Sequence, residues 1–411
     1  MALPTGLEEH NKSRNPKNVL LQGALFFGHT GVHWFQQLWP VIIPSVKGSL
    51  RLNNVEIGTL TAARQFTAGP LNLPSGFLAD RYRKHTPLIL AFAFVAFGLS
   101  HFLVAQAPTF GWMALCVILL GVGTGLWHPA AIGSLSRRFP ERRGSAIAIH
   151  GVGASVGDTV APIAIGYLLL SIPWQQLLEF HVFPAAIMAL VLWKSLTPVF
   201  RSEAGSQSSI GSYWSDIRIL LSHPVVLTII AVNILTRMAS LSVMTFLPIY
   251  IQDDLGYSAF GLGFFWGLLH AMGAVSQPIM GYLSDRIGRK SILLPALILY
   301  GVLYLALAAV GTELQLILVI GALGLFFYAL ASLTMATVMD VASDRVQSTT
   351  QGINGILTQF LSLPAPILTG VIVTQYGTKS AFVFSGVAVL LSAVLLAVVH
   401  VPSSKDRGKA E

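Results

Sequence analysis

Long apolar stretches separated by short polar turns dominate this chain. A helix of about 20 mostly apolar residues crosses the roughly 30 Å hydrocarbon core of a bilayer, and twelve stretches of that kind are present. They cover residues 18–44, 54–78, 87–107, 111–134, 144–170 and 176–199, and then 223–251, 259–283, 292–311, 314–340, 350–375 and 380–401. The pattern predicts an all-α membrane protein with twelve transmembrane helices, called spans below.

One long polar stretch divides the twelve predicted spans into two sets of six. Residues 201–222 are rich in Ser and Gly and carry several charges, so we interpret them as a cytoplasmic linker. The predicted domains are an amino-terminal half at 1–200, this linker, and a carboxy-terminal half at 223–411. Within the linker, residues 213–221 have an apolar face with two charges, which is typical of a helix lying on a membrane surface.

Short strings that recur half a chain apart indicate an internal duplication. Gly76–Lys84 matches Gly281–Lys290, with the first glycines 205 positions apart. Ala161–Gly166 matches Ala365–Gly370 at an offset of 204. The two sets of six spans are therefore predicted to be repeats of one unit.

The charged strings resemble the cytoplasmic loop motif of the major facilitator superfamily, and the resemblance covers essentially the whole chain. It implies the major facilitator fold and secondary transport by alternating access. In that family the glycine of the motif permits close helix packing, and the aspartate and arginine hold the cytoplasmic side closed. The resemblance thus implies a conformational gate made of Gly76, Asp80, Arg81, Gly281, Asp285 and Arg286.

A narrower resemblance lies in the first half. Gly28–His33, Gly123–Pro129 and Gly151–Gly157 look like the fosmidomycin-resistance branch of the superfamily. Members of that branch export drugs or small anions, so the resemblance implies proton-driven efflux by an antiporter.

Composition and charge agree with a membrane protein. Charged residues make up 10% of the chain, apolar residues 54%, and the mean hydropathy is +0.70, whereas soluble domains are about one quarter charged. Twenty of the 25 Lys and Arg residues fall on the side of the amino terminus, against Lys47, Arg51 and Lys379 on the other. Basic residues collect on the cytoplasmic side, so both termini are predicted to be cytoplasmic in a bacterial-type inner membrane. The net charge of +8 therefore reflects orientation and not nucleic-acid binding.

Motifs of soluble catalysis are missing from the sequence. It has no phosphate-binding glycine-lysine loop, metalloprotease helix or nucleophile elbow, so ATP is not the evident energy source and no cofactor is expected. The lone cysteine, Cys116, excludes an internal disulfide. Two alternatives from other classes stay open: an enzyme working within the bilayer, and a receptor on a transporter fold.

Asp158 is the one carboxylate predicted to lie well inside a span. Ionisable groups at membrane depth usually face a cavity or a partner. Asp158 lies one helical turn before Pro162 in a glycine-rich span. We interpret it as the carrier of a coupling proton, with a structural hydrogen-bond acceptor as the alternative.

Arg64 and Arg237 also fall inside predicted spans. A guanidinium group stays protonated, so two buried arginines and one buried acid leave a net positive cavity. That excess favours an anionic substrate held by hydrogen bonds. The alternative is that one arginine pairs with Asp158 while the other reaches an interface.

Histidines and amides complete the candidate site. His29 and His33 are four residues apart, hence on one helix face, and three interpretations compete: proton or substrate handling, metal binding, and structural roles. Transition-metal sites usually include carboxylates or thiolates, so no metal is predicted. Candidate substrate ligands besides the arginines are His33, Gln36, His270, Asn233 and Asn354. The aromatic residues Trp34, Phe35 and Trp39 are predicted to face lipid or the interface.

Together these features predict a monomeric, proton-coupled exporter of a small anionic or amphiphilic compound. Its site is expected between the two halves near the membrane midplane. Uptake of an organic anion or a metal chelate is the alternative within the same class.

Overall fold

A computed structural model describes residues 15–201, 224–341 and 347–399. Both chain termini lie outside the described residues. So does the predicted linker after its first residue, including the predicted surface helix at 213–221.

The described residues form helices and no β-strand. The six spans of the first half are Pro16–Leu50, Asn54–Arg81, Thr86–Ala105, Phe110–Arg138, Arg143–Leu168 and the pair Trp174–Phe180 and Val182–Phe200. Those of the second half are Pro224–Ile249, Ala259–Ile287, Arg289–Ala308, the pair Glu313–Phe327 and Ala329–Val341, the pair Gln347–Ser362 and Pro364–Tyr376, and Lys379–Val398. The predicted all-α, twelve-span architecture is confirmed.

Ten helices within the described ranges are long and apolar enough to cross a membrane. The first and second spans are just as long but fall outside that set. They carry His33, Gln36 and Arg64, three of the candidate site residues. The lower apolarity of these two helices therefore coincides with candidate site residues and not with a shorter span.

The helix starts follow local sequence signals. Asn53 and Glu56 form a reciprocal capping box at the start of the second span, and Thr312 and Gln315 form one at the start of the tenth. Each box supplies partners to backbone N–H groups that the first helical turn leaves unpaired.

The two charged strings, Gly76–Lys84 and Gly281–Lys290, lie at one end of the bundle, called the motif end here. The turns at residues 51–53 and 255–258 lie at the opposite end. Lys47 and Asp253 form an ion pair of 3.3 Å between the two halves near those turns. This ion pair between the halves therefore lies at the end opposite the charged strings.

At the opposite end the two halves meet backbone to backbone through glycines. A Cβ atom at Gly58 in the second span would lie 2.1 Å from the carbonyl oxygen of Pro366 in the eleventh. A Cβ atom at Gly263 in the eighth span would lie 2.2 Å from the carbonyl oxygen of Pro162 in the fifth. Pro162 and Pro366 belong to the second repeated string, so that duplication forms two equivalent contacts between the halves.

The prediction for the aromatic residues of the first span is wrong. Phe35 and Trp39 are 3% and 2% exposed. Trp34 donates a hydrogen bond from Nε1 to Nε2 of His181, at 3.0 Å. The first span packs inside the bundle along much of its circumference, so these rings face other helices.

Candidate functional site

A cavity of about 860 Å³ lies between the two halves. Six of the residues predicted to bind substrate or the proton line it: His33, Gln36, Arg64, Asp158, Arg237 and His270. The lining continues toward the motif end at Gly76, Pro129 and Gly355, whereas the glycine contacts close the opposite end.

Small residues bring Asp158 against the first span. A Cβ atom at Gly157 would lie 2.5 Å from the carbonyl oxygen of Thr30. The Thr30 hydroxyl donates to the carbonyl oxygen of Gly153 at 2.9 Å. Only a glycine-rich helix approaches this closely, so the adjacent carboxylate reaches side chains of the first span.

Asp158 is 4% exposed and is held by polar groups of the first span. Gln37 Nε2 donates to its Oδ1 at 2.6 Å. His33 Nδ1 lies 2.9 Å from its Oδ2, at ion-pair distance but without hydrogen-bond alignment. The basic side chain that contacts Asp158 is thus a histidine, and the alternative in which it pairs with an arginine is not what the structure has.

Groups of the second half complete the surroundings of Asp158. The Tyr328 hydroxyl donates to Asp158 Oδ2 at 2.5 Å, and His270 Nδ1 lies 2.6 Å from the Tyr328 oxygen. Gln37 Nε2 lies 3.2 Å from His270 Nε2, and Trp266 Nε1 donates to Gln37 Oε1 at 2.8 Å. A buried carboxylate is costly unless such donors surround it, and here they come from both halves.

Arg64 and Arg237 have neutral partners. Arg64 Nη2 donates to the carbonyl oxygen of Gln36 at 3.0 Å, and Arg237 Nη2 donates to Gln65 Oε1 at 3.5 Å. Neither arginine forms an ion pair with a carboxylate among the described residues. The cavity therefore contains two guanidinium groups without an anionic partner.

A histidine cluster lies beside the cavity in the first half. His29 Nδ1 lies 2.8 Å from the carbonyl oxygen of His150, and His29 Nε2 lies 3.4 Å from His128 Nε2. One ring nitrogen from each of His29, His33 and His128 lies within 4.8 Å of the others. That spacing suits a shared ion, but the group contains no carboxylate or thiolate of the kind that usually supports a transition metal, and Asp158 is engaged by other donors. We therefore assign no metal to it.

Asn233 and Asn354 lie away from the cavity. Asn233 Nδ2 donates to Asn354 Oδ1 at 3.0 Å, and neither residue belongs to the cavity lining. They join the seventh and eleventh spans, so they are not retained as substrate ligands.

The aspartates of the two motif strings each pair with an arginine. Asp80 pairs with Arg137 of the fourth span at 2.6 Å, and Asp285 pairs with Arg289, which also binds Asp340 at 2.8 Å. Arg81 and Arg286 form no ion pair with a described residue, and Arg286 instead lies 4.6 Å from the ring centre of Tyr282.

The motif glycines are not at close helix contacts in this conformation. A Cβ atom at Gly281 would meet nothing within 4 Å, and one at Gly76 would meet only Pro129 Cβ at 3.5 Å. The cavity extends to this end of the bundle, so the helices are spread around these glycines.

Sequence reasoning missed three residues around Asp158, namely Gln37, Trp266 and Tyr328. A signal existed for Gln37, because it follows His33 by four residues and both side chains approach Asp158. Trp266 precedes His270 by four residues in the same way. Tyr328 lies between the two helical pieces of the tenth span. No glycine or proline within two residues indicates this break in the sequence.

Comparisons with known proteins agree with this architecture. The model of the Major Facilitator Superfamily matches residues 25–277 and 271–411. A fosmidomycin resistance protein of Escherichia coli is 24% identical over 291 residues, which are 69% of this chain and 68% of that protein. A hexuronate transporter of Bacillus subtilis is 22% identical over 394 residues, which are 90% of this chain and 91% of that protein.

Solved structures share the fold at low sequence identity. A nucleoside transporter has a TM-score of 0.76 and 14% identity, with coverage of 92% of this chain and 98% of that one. An inward-facing, occupied bacterial homolog of the human lysosomal transporter Spinster has a TM-score of 0.77 and 16% identity, with coverage of 93% and 97%. With the family model matched across both halves, the chain belongs to the major facilitator superfamily of membrane transporters.

Proposed function

We propose that this protein exports a small anionic or amphiphilic compound in exchange for protons. The observation that carries the proposal is the pair Arg64 and Arg237, which face the cavity without a carboxylate partner among the described residues. A desolvated guanidinium group gains most from an anion that accepts two of its N–H groups. Apolar lining residues such as Ile43, Leu120 and Phe327 suit the rest of an amphiphilic substrate.

Asp158 is the proposed proton carrier. It is the one carboxylate among the described residues that line the cavity, and its surroundings come from both halves. Binding and release of a proton there changes the charge at the interface that must rearrange in alternating access. His33 and His270 orient the site beside it, and Gln36 anchors Arg64 through its backbone carbonyl.

The direction of loading follows from the proposed orientation. The distribution of basic residues supports a cytoplasmic motif end, and a cavity that extends to the motif end would then take up substrate from the cytoplasm. The Gly76, Asp80 and Arg81 string and its copy at Gly281, Asp285 and Arg286 would then close that side. We propose that the protein acts as a monomer in a bacterial-type inner membrane with both termini cytoplasmic.

Proton-driven uptake is a second candidate, favoured by the charges in the cavity. A proton on Asp158 removes the one negative charge beside two positive ones, and this strengthens anion binding. Ligands that strengthen each other's binding favour movement in the same direction. Efflux requires instead that the transporter change conformation with either a proton or the anion bound, but not with both.

The test is transport into proteoliposomes that contain a pH-sensitive dye, with labelled glucuronate and fosmidomycin as probes because relatives are named for such compounds. Movement of probe and protons in opposite directions supports efflux, and movement in the same direction supports uptake.

Asp158→Asn is expected to abolish accumulation driven by a pH gradient while probe exchange persists. Arg237→Gln is expected to weaken probe binding. Full gradient-driven transport by Asp158→Asn refutes the proton assignment, and unchanged affinity in Arg237→Gln refutes the anion site.

A further inference from the structure

Four side chains around Asp158 close a ring of hydrogen bonds across the two halves. Asp158 and Gln37 belong to the first half, and His270 and Tyr328 to the second. The links run from Asp158 to Gln37, from Gln37 to His270, from His270 to Tyr328 and from Tyr328 back to Asp158. Only the last of these joins the carboxylate directly to the opposite half.

The donors and acceptors in the ring have one consistent assignment. Trp266 Nε1 is a donor only, so the atom of Gln37 that it contacts is the amide oxygen. The Gln37 amide nitrogen then donates its two hydrogens to Asp158 Oδ1 and to His270 Nε2. His270 Nε2 is thus an acceptor, and Nδ1 carries the hydrogen that goes to the Tyr328 oxygen. The remaining hydroxyl hydrogen of Tyr328 points to Asp158 Oδ2.

This assignment directs one hydrogen to each oxygen of Asp158, an arrangement that suits the ionised carboxylate. The titratable groups that face it are His33 of the first span, His128 of the fourth, His270 of the eighth and Tyr328 of the tenth. A proton added to Asp158 removes the negative charge that strengthens the hydrogen bonds from Gln37 and Tyr328. The weakening of two charge-assisted hydrogen bonds shifts an equilibrium by about tenfold or more.

Tyr328 lies where a weaker hydrogen bond to Asp158 can change the packing between helices. It stands between Glu313–Phe327 and Ala329–Val341, where the tenth span is interrupted. Its ring lies against Gly273 of the eighth span, where a Cβ atom would be 2.6 Å from Tyr328 Cδ2. The hydroxyl therefore depends on a helix break and on a glycine that makes room for the ring.

We propose that Tyr328 is the positioning residue through which the charge of Asp158 holds the two halves together at the opposite end. Ionised Asp158 keeps the ring closed and favours the conformation described here. Protonation weakens the hydrogen bond from Tyr328 and favours separation of the halves at that end. This inference rests on the proposed function, because it takes Asp158 as the proton carrier.

The test measures the separation of the halves and needs no substrate. Spin labels are attached to cysteines at Gly111 and Gly311, which lie at the opposite end in different halves, in a Cys116→Ala background. A Cβ atom at Gly111 would meet nothing within 4 Å, and one at Gly311 only Gln315 Oε1 at 3.8 Å, so both positions accept a side chain. Distances between the labels are recorded by pulsed electron paramagnetic resonance at about pH 5 and about pH 8.

The parent protein is expected to change its ratio of short to long distances by about tenfold or more between the two pH values. Tyr328→Phe is expected to lose this response. Tyr300→Phe is the matched control: Tyr300 is 1% exposed, lies in the ninth span and contacts Tyr304 through its hydroxyl, so it should keep the response. His270→Asn, which removes the group that holds the Tyr328 oxygen, tests the same link if Tyr328→Phe does not fold.

Further outcomes separate the inference from the proposed function. If Asp158→Asn loses the response and Tyr328→Phe keeps it, the role of Tyr328 is refuted while the proton site stands. If Asp158→Asn keeps the response of the parent protein, the proton assignment fails and the inference fails with it. No pH response in the parent protein overturns both.

Discussion

Replacing Gly263 by alanine should open the bundle at the opposite end. The added methyl group would lie 2.2 Å from the carbonyl oxygen of Pro162, which is part of a helix backbone and cannot rotate away. The eighth and fifth spans must therefore move apart by roughly 1 Å at this contact before the methyl group fits.

The expected magnitude is that of an overpacked core. Inserting one methyl group into a close-packed contact costs about 1–3 kcal/mol. The cost falls only on conformations in which these two backbones touch, so the equilibrium shifts toward separated halves by about 5- to 150-fold. Alternating access needs both conformations, so transport should slow even though Gly263 does not belong to the cavity lining.

The assay is the distance between spin labels at Gly111 and Gly311, at the pH where the parent protein favours the short distance. Gly151→Ala is the matched control, because Gly151 is also a helical glycine and a Cβ atom there would meet nothing within 4 Å. Gly263→Ala should lengthen the distance and Gly151→Ala should not. Equal distance distributions for the two variants would refute the idea that the glycine contact closes this end.

Three further outcomes are expected. Arg237→Gln should weaken binding of an anionic probe by about tenfold or more, measured by calorimetry, because a charge-assisted hydrogen bond contributes about 1.5–3 kcal/mol; unchanged affinity contradicts the anion site. Gly28→Ala should destabilise the protein by about 1–3 kcal/mol in thermal unfolding, because its Cβ atom would lie 2.2 Å from Trp127 Cη2, whereas Gly23→Ala, with nothing within 4 Å, should not. Lys47→Gln should change the label distances only slightly, and less in high salt. The Lys47 ion pair is partly exposed, and such pairs contribute about 0–1 kcal/mol. A large effect that is insensitive to salt would contradict this.

The fold could be predicted from the sequence because its signals are local or repeated. A run of about 20 apolar residues identifies a span whatever helices pack around it. The two copies of the charged string show which spans of the two halves are equivalent. The cavity residues His33, Arg64 and His270 could also be found, because polar side chains are expensive in lipid and collect around water or partners.

The partners of these residues could not be predicted in the same way. Asp158 meets Tyr328 only because a break in the tenth span and the missing side chain at Gly273 bring the hydroxyl across the interface. Asn233 and Asn354 have the same polarity as cavity residues, yet they bond to each other away from the cavity. Polarity indicates that a partner is needed, whereas helix packing decides which partner is reached.

The duplication explains why the halves close alike and yet differ in chemistry. Gly58 with Pro366 and Gly263 with Pro162 are equivalent pairs at the offset of the repeat, so one ancestral contact accounts for both closures. The ring around Asp158 has no such copy. At offsets of 204 to 206, Asp158 corresponds to Ser362, Tyr328 to Thr124 and His270 to Arg64. The second half thus lacks the acid at the equivalent depth, while the first half has a permanent cation where the second has a histidine. In the proposed function, residues common to both repeats therefore serve the movement, and residues that differ between them separate the proposed proton site from the proposed anion site.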